Sequence, residues 1–183
     1  MQRDEYTSTT KFLHWTIAIL IIIEYAIGMF LLFNKGYKQV NFIHKQIGLT
    51  ILVLVICRIF WRIFGYYPPP LKELSPCEKI TARIMHLLLY TLMLFVLFSG
   101  IIRIQAHGYS IEFWNMIKVP TLIDLQPQAI GKILKKVHEY AAHVFISLIC
   151  LHIIIAFWHH YIRTDRVLLR MLPFQKKNIQ GQA

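Results

Sequence analysis

Along its length the chain alternates between long apolar runs and short polar or mixed connections. A helix needs about 20 residues to cross a hydrocarbon core about 30 Å thick. Four runs are that long: 12–33, 42–64, 84–104 and 137–162. Each is expected to be a membrane-spanning helix. The first carries one charge, Glu24. The second is uncharged from Gln46 to Cys57, with Lys45, Arg58 and Arg62 near its ends. There, long side chains can reach the interface while their stems stay in lipid. The connection 34–41 is short, and 65–83 contains the helix-breaking Tyr67-Pro68-Pro69-Pro70. The longest, 105–136, sets Ile111, Phe113 and Trp114 beside Pro120. It is too short and mixed to span, and it is expected to lie on the membrane as an amphipathic lid. The expected fold is all-α, an integral membrane four-helix bundle forming a single domain over 1–183. A basic tail follows at 163–183.

Composition supports this and removes other classes. Hydrophobic types make up 56% of the chain and charged types 16%, against about 25% charged in soluble domains. The net charge of +11 is not a nucleic-acid footprint, because the charges sit between apolar runs and form no large polar surface. An even number of spans puts both termini on one side. Twelve of the Lys and Arg residues fall on that side and eight on the other, so the positive-inside rule places both termini in the cytoplasm. The opposite face pairs its eight bases with three acids. Topology does not require that excess, which would concentrate an anionic partner; Lys45, Arg103, Lys118 and Lys135 are its candidates. Cys57, Cys77 and Cys150 form no C-x-x-C pair, which argues against zinc, an iron–sulfur cluster or covalently attached haem. They read as small packing groups.

The candidate chemistry lies in nine histidines. Ionisable groups within spans are costly and point to function. His138 and His152 are fourteen residues apart. That spacing is about 21 Å of helical rise and brings them back to nearly one stripe, near opposite membrane faces. His44 begins the second span level with His138. His14 begins the first span level with His152, and His86 lies at a similar depth, so depth alone leaves two possible partners for His152. Paired imidazoles at two depths in a bundle suit two b-type haems in its core. Gly48, four residues after His44, leaves room on that helix face for a porphyrin. His143 is rotated away from His138 and is not expected to be an axial ligand. His159 stays near the His152 stripe and could hydrogen-bond a quinone carbonyl. His160 and His107 read as solvated interface groups. Glu24 is expected to be protonated and hydrogen-bonded to His143 or Ser147.

These residues resemble the bacterial cytochrome b561 family. The matching stretches are Leu13-His14-Trp15, Ile43-His44-Lys45-Gln46-Ile47-Gly48, and Arg58-Ile59-Phe60-Trp61-Arg62 before Pro68-Pro69-Pro70. They continue with His86-Leu87-Leu88-Leu89-Tyr90, His138, His152, His159-His160-Tyr161 and Leu168-Leu169-Arg170-Met171. The resemblance implies two haem b groups in the inner membrane of a bacterium, in contact with lipid. It pairs His14 with His152 at the inner haem and His44 with His138 at the outer one, and it associates the His159 position with a quinone site. It implies electron transfer between a periplasmic donor and the quinone pool. The family's best-defined activity is superoxide oxidation coupled to ubiquinone reduction. The alternative is an electron-transfer subunit fed by a separate dehydrogenase or periplasmic protein. The segment 107–120 departs from the family pattern.

Overall fold

The structure, a computed structural model, describes residues 5–34, 36–66, 68–71, 74–106, 109–121 and 128–173. Four long helices dominate it: α1 (Ser8–Phe33), α2 (Lys38–Phe64), α3 (Pro76–Gln105) and α4 (Gln128–Tyr161). All four are long and apolar enough to cross a membrane. The expected four-helix membrane bundle is what the chain forms. Large side chains such as Phe12, Phe60, Phe64, Leu87 and Ile154 are exposed along the helices. Such a surface suits a lipid surround.

Each helix starts several residues before the apolar run that announced it, and at α1 and α3 the early start is capped. Thr7 caps α1, its hydroxyl accepting from the Thr10 N–H at 3.3 Å. At α3, Ser75 and Glu78 form a reciprocal capping box with Pro76 in the first turn. These contacts occupy N–H groups that a helix start otherwise leaves unpaired.

The closest helix packing pairs α1 with α2 and α3 with α4, while α2 meets α3 less extensively. The bundle is therefore two helical hairpins placed side by side. An apolar cluster of Ile17, Ile51, Val55, Met93 and Phe145 forms the core at mid-height. At the end where α1 begins and α4 finishes, the chain after α4 folds back over the helices. The Trp15 indole donates to the Met171 carbonyl at 2.9 Å, and Arg170 donates to the Pro69 carbonyl at 2.9 Å. Arg163 pairs with Glu78 at 2.7 Å. The described part of the basic tail is thus docked, with Leu169–Met171 forming a 3-10 turn.

The long connection carries secondary structure that the sequence pattern did not announce. Where an amphipathic lid was expected, with no secondary structure assigned to it, the described part forms a small antiparallel hairpin, β1 (Ile111–Phe113) and β2 (Ile117–Val119). Ile111 is buried against Leu49 and Ile101. Gln46, only 2% exposed, grips the strand backbone on two sides. Its amide donates to the Glu112 carbonyl at 2.9 Å, and its carbonyl accepts from the Trp114 N–H at 2.6 Å. Three residues, Trp114, Asn115 and Met116, join the strands; the Met116 N–H donates to the Phe113 carbonyl at 2.9 Å, and Trp114 and Asn115 have φ of 47° and 57°, the positive values of a primed turn. The cysteines also differ from expectation: all three are free and exposed.

Candidate functional site

The histidines converge at two heights. Toward the hairpin end, His44 on α2 faces His138 on α4, with ring centres 6.4 Å apart. Two imidazoles sharing one iron hold their centres about 6 Å apart, since a metal–nitrogen bond of about 2 Å adds to a ring radius of about 1 Å on each side. Nδ1 of His138 lies 3.0 Å from the Val96 carbonyl and 3.0 Å from the Ser99 hydroxyl. With Nδ1 engaged, Nε2 is the nitrogen left for a metal, the arrangement expected around a histidine ligand.

A cavity of about 520 Å³ surrounds this pair and is lined by Gly28, Gly48 and Gly100 among others. Each glycine makes room for a polar side chain of a neighbouring helix. A Cβ on Gly100 would stand 3.1 Å from the His138 ring, one on Gly28 3.5 Å from the His44 ring, and one on Gly48 3.3 Å from Glu24 Oε1. Gly48 does line the cavity, but its nearest neighbour is this carboxyl. Sequence reasoning missed Gly28 and Gly100, whose roles depend on which helix lies opposite.

Glu24 also has a different partner from the one expected. Its Oε1 lies 3.0 Å from Nδ1 of His44, and His143 instead meets Tyr25, whose hydroxyl is 2.8 Å from the ring Nδ1. Ser147 donates to the His143 carbonyl. The expectation looked for a partner only along α4, whereas the antiparallel α1–α2 packing supplies one from α2.

At the other height three histidines gather. His86 on α3 meets His152 on α4 with ring centres 5.6 Å apart. His14 on α1 lies within electrostatic range of both, and of Arg58. His86 Nδ1 contacts the Ala82 carbonyl at 2.5 Å. Arg58 is held by the Tyr90 hydroxyl at 3.0 Å and the Thr10 carbonyl at 3.2 Å. The ring contact present is His86–His152, so the two partners that depth left open for His152 both stand beside it.

Beyond this cluster, His159 Nδ1 is 2.5 Å from Asp165 Oδ2, and both side chains are largely buried. The other oxygen of Asp165 accepts from the Val167 N–H at 3.0 Å. The carboxyl fixes the ring and leaves Nε2 as its available polar atom. His160 was expected to be solvated, but its Nδ1 is buried without a hydrogen-bond partner among the described residues. His107 lies outside the described residues.

The donor chemistry, the facing rings and the glycine-lined cavity fit a haem. A family model described as prokaryotic cytochrome b561 matches residues 5–174. The chain belongs to the prokaryotic cytochrome b561 family. It is 30% identical to cytochrome b561 homolog 2 of Escherichia coli (strain K12), over 92% of each chain. It is also 30% identical to the probable superoxide oxidase CybB of Yersinia pestis, over 88% of this chain and 92% of that one. A third relative is cytochrome b562 of Cereibacter sphaeroides, 30% identical over 93% of this chain and 97% of the relative. Membership of this cytochrome b561 family, with the four apolar helices, makes the chain a multi-pass bacterial membrane protein of electron transfer. It also implies haem b binding.

Proposed function

We propose that the chain holds two b-type haems and carries electrons across the bacterial inner membrane, from a periplasmic donor to the quinone pool, with both termini in the cytoplasm. The observation that carries this reading is the His44–His138 pair, 6.4 Å apart by ring centres in a glycine-lined cavity. Haem supplies one-electron carriage at each site. The protein supplies the rest. His44 and His138 hold the outer group, and Val96 and Ser99 orient His138. His152 and His14 hold the inner group, with His86 packed beside them. At the cytoplasmic end, His159 with Asp165 behind it offers a fixed polar atom to a quinone carbonyl and can hand it a proton.

Lys38, Lys45 and Lys135 line the outer cavity. Such a cationic rim attracts a small anionic donor, which favours superoxide with ubiquinone as acceptor. Stopped-flow reduction of the purified protein tests this. Superoxide should reduce both haems, and ubiquinone should reoxidise them. Reduction by a partner protein but not by superoxide would make the chain the membrane subunit of a larger system. A b-type α-band must appear on reduction. His138→Ala and His152→Ala should each remove one haem, and retention of both in either variant refutes the ligand assignment.

A further inference from the structure

Glu24 is an acid within an apolar helix, a position that is expensive unless the group has a task. Its surroundings on α1 and α2 are reciprocal. Glu24 and Gly28 are four residues apart on α1, and His44 and Gly48 are four apart on α2. That spacing sets each pair on one helix face. Because the helices run antiparallel, Glu24 lies over Gly48 and His44 lies over Gly28. Each glycine thus receives the polar side chain of the other helix, and Glu24 Oε1 reaches to 3.0 Å from His44 Nδ1. Beyond this close approach, His44 Nδ1 and Glu24 Oε2 are both buried with no hydrogen-bond partner among the described residues. The carboxyl therefore has acceptor capacity to spare for this imidazole. His138 differs, since its Nδ1 meets a backbone carbonyl and a hydroxyl.

We propose that Glu24 is a positioning residue of the outer haem site: its carboxyl holds His44 by Nδ1, presents Nε2 to the iron and lowers the reduction potential of the haem bound there. This rests on the reading of His44 and His138 as an axial pair. An acceptor on the outer nitrogen of a ligating imidazole makes the ring a stronger donor and favours the oxidised metal. A merely structural carboxyl would alter stability and leave the potential alone.

The test is a redox titration of both haems in membranes, with electron paramagnetic resonance of the oxidised form. The variants are Glu24→Leu, which removes the acceptor, and Glu24→Gln, which keeps an acceptor oxygen of similar reach. Glu24→Leu should raise the potential of the outer haem, with any loss of occupancy confined to that haem, and should leave the inner haem unmoved. Glu24→Gln should restore occupancy and bring the potential between those of Glu24→Leu and the parent. An outer haem whose potential and resonance match the parent in Glu24→Leu overturns the proposal, as does failure of Glu24→Gln to restore occupancy. His44→Ala, measured alongside, keeps the two readings apart. If it retains the outer haem, the axial assignment itself fails, whatever Glu24 does.

Discussion

Replacing Gln46 by Ala tests whether the outer hairpin is held mainly by one side chain. In the parent, a single buried amide bonds the Glu112 carbonyl at 2.9 Å and the Trp114 N–H at 2.6 Å. An unsatisfied buried backbone group costs about 1–3 kcal/mol, so losing both partners costs about 2–4 kcal/mol after partial relaxation. Beyond Gln46, the hairpin is tied by the Gln105 amide to the Pro120 carbonyl at 2.8 Å and by the Trp114 indole to the Thr50 hydroxyl at 3.4 Å. Its main apolar anchor is Ile111, worth about 2 kcal/mol when buried. Trp114 already holds a left-handed backbone conformation that costs a residue with a Cβ about 1–2 kcal/mol. Undocking should therefore become about 30- to 1,000-fold more frequent, by the relation of about 1.4 kcal/mol per tenfold. Hydrogen exchange measured by mass spectrometry in detergent or nanodiscs reads this directly, as loss of protection confined to 109–121. Gln46→Glu should lose about half the effect, because a carboxyl can still accept from Trp114 but no longer donates to Glu112. Unchanged protection in Gln46→Ala, or loss spread evenly over the four helices, would refute the reasoning.

Gly100→Ala should press a methyl group against His138, where the ideal Cβ stands 3.1 Å from the ring. Overpacking costs about 1–3 kcal/mol, so outer-haem affinity should fall about 5- to 150-fold with the inner haem retained, as read by haem titration. His14→Ala should remove the inner haem while His86→Ala keeps it, as read by difference spectra; the reverse result would assign the ligand to His86. Ser75→Ala should destabilise the start of α3 by about 1 kcal/mol, visible as faster exchange in its first turn. Trp15→Phe deletes the donor to the Met171 carbonyl, so protease cleavage after α4 should quicken without loss of either haem.

The sequence pattern makes the helices legible because a membrane demands long apolar runs, and nothing else in the chain resembles them. Their starts are less legible because Thr7 and Ser75 act outside the apolar stretch. The facing of His44 and His138 follows from helical rise and common depth. The role of Gly100 does not, since it depends on which residue of α4 lies opposite. Glu24 shows the same limit. Its depth is readable from α1 alone, but its partner depends on the register of α1 against α2. The hairpin is hidden for a different reason. Its strands have three residues each, and its turn uses Trp114-Asn115 in place of the usual Asn-Gly signal. What holds it comes from the helices beneath: the two bonds from Gln46, the bond from Gln105 to the Pro120 carbonyl, and the burial of Ile111 against Leu49 and Ile101.

The middle of the bundle explains why the two sites should respond separately. Phe145 is seven residues from both His138 and His152, so it sits about 10 Å of rise from each. Around it, Ile17, Ile51, Val55 and Met93 complete an apolar plug contributed by all four helices. The polar pair Tyr25–His143 and the pair Glu24–His44 belong with the outer cavity, whereas Arg58 and Tyr90 stand with the inner histidines. No described hydrogen bond joins the two sets. Close-packed side chains transmit strain, but a plug without polar groups offers no chain of ion pairs or shared protons between the sites. A substitution at Glu24 or Gly100 should therefore move the outer haem alone. Parallel shifts of both potentials in either variant would mean that the plug is deformed as a unit.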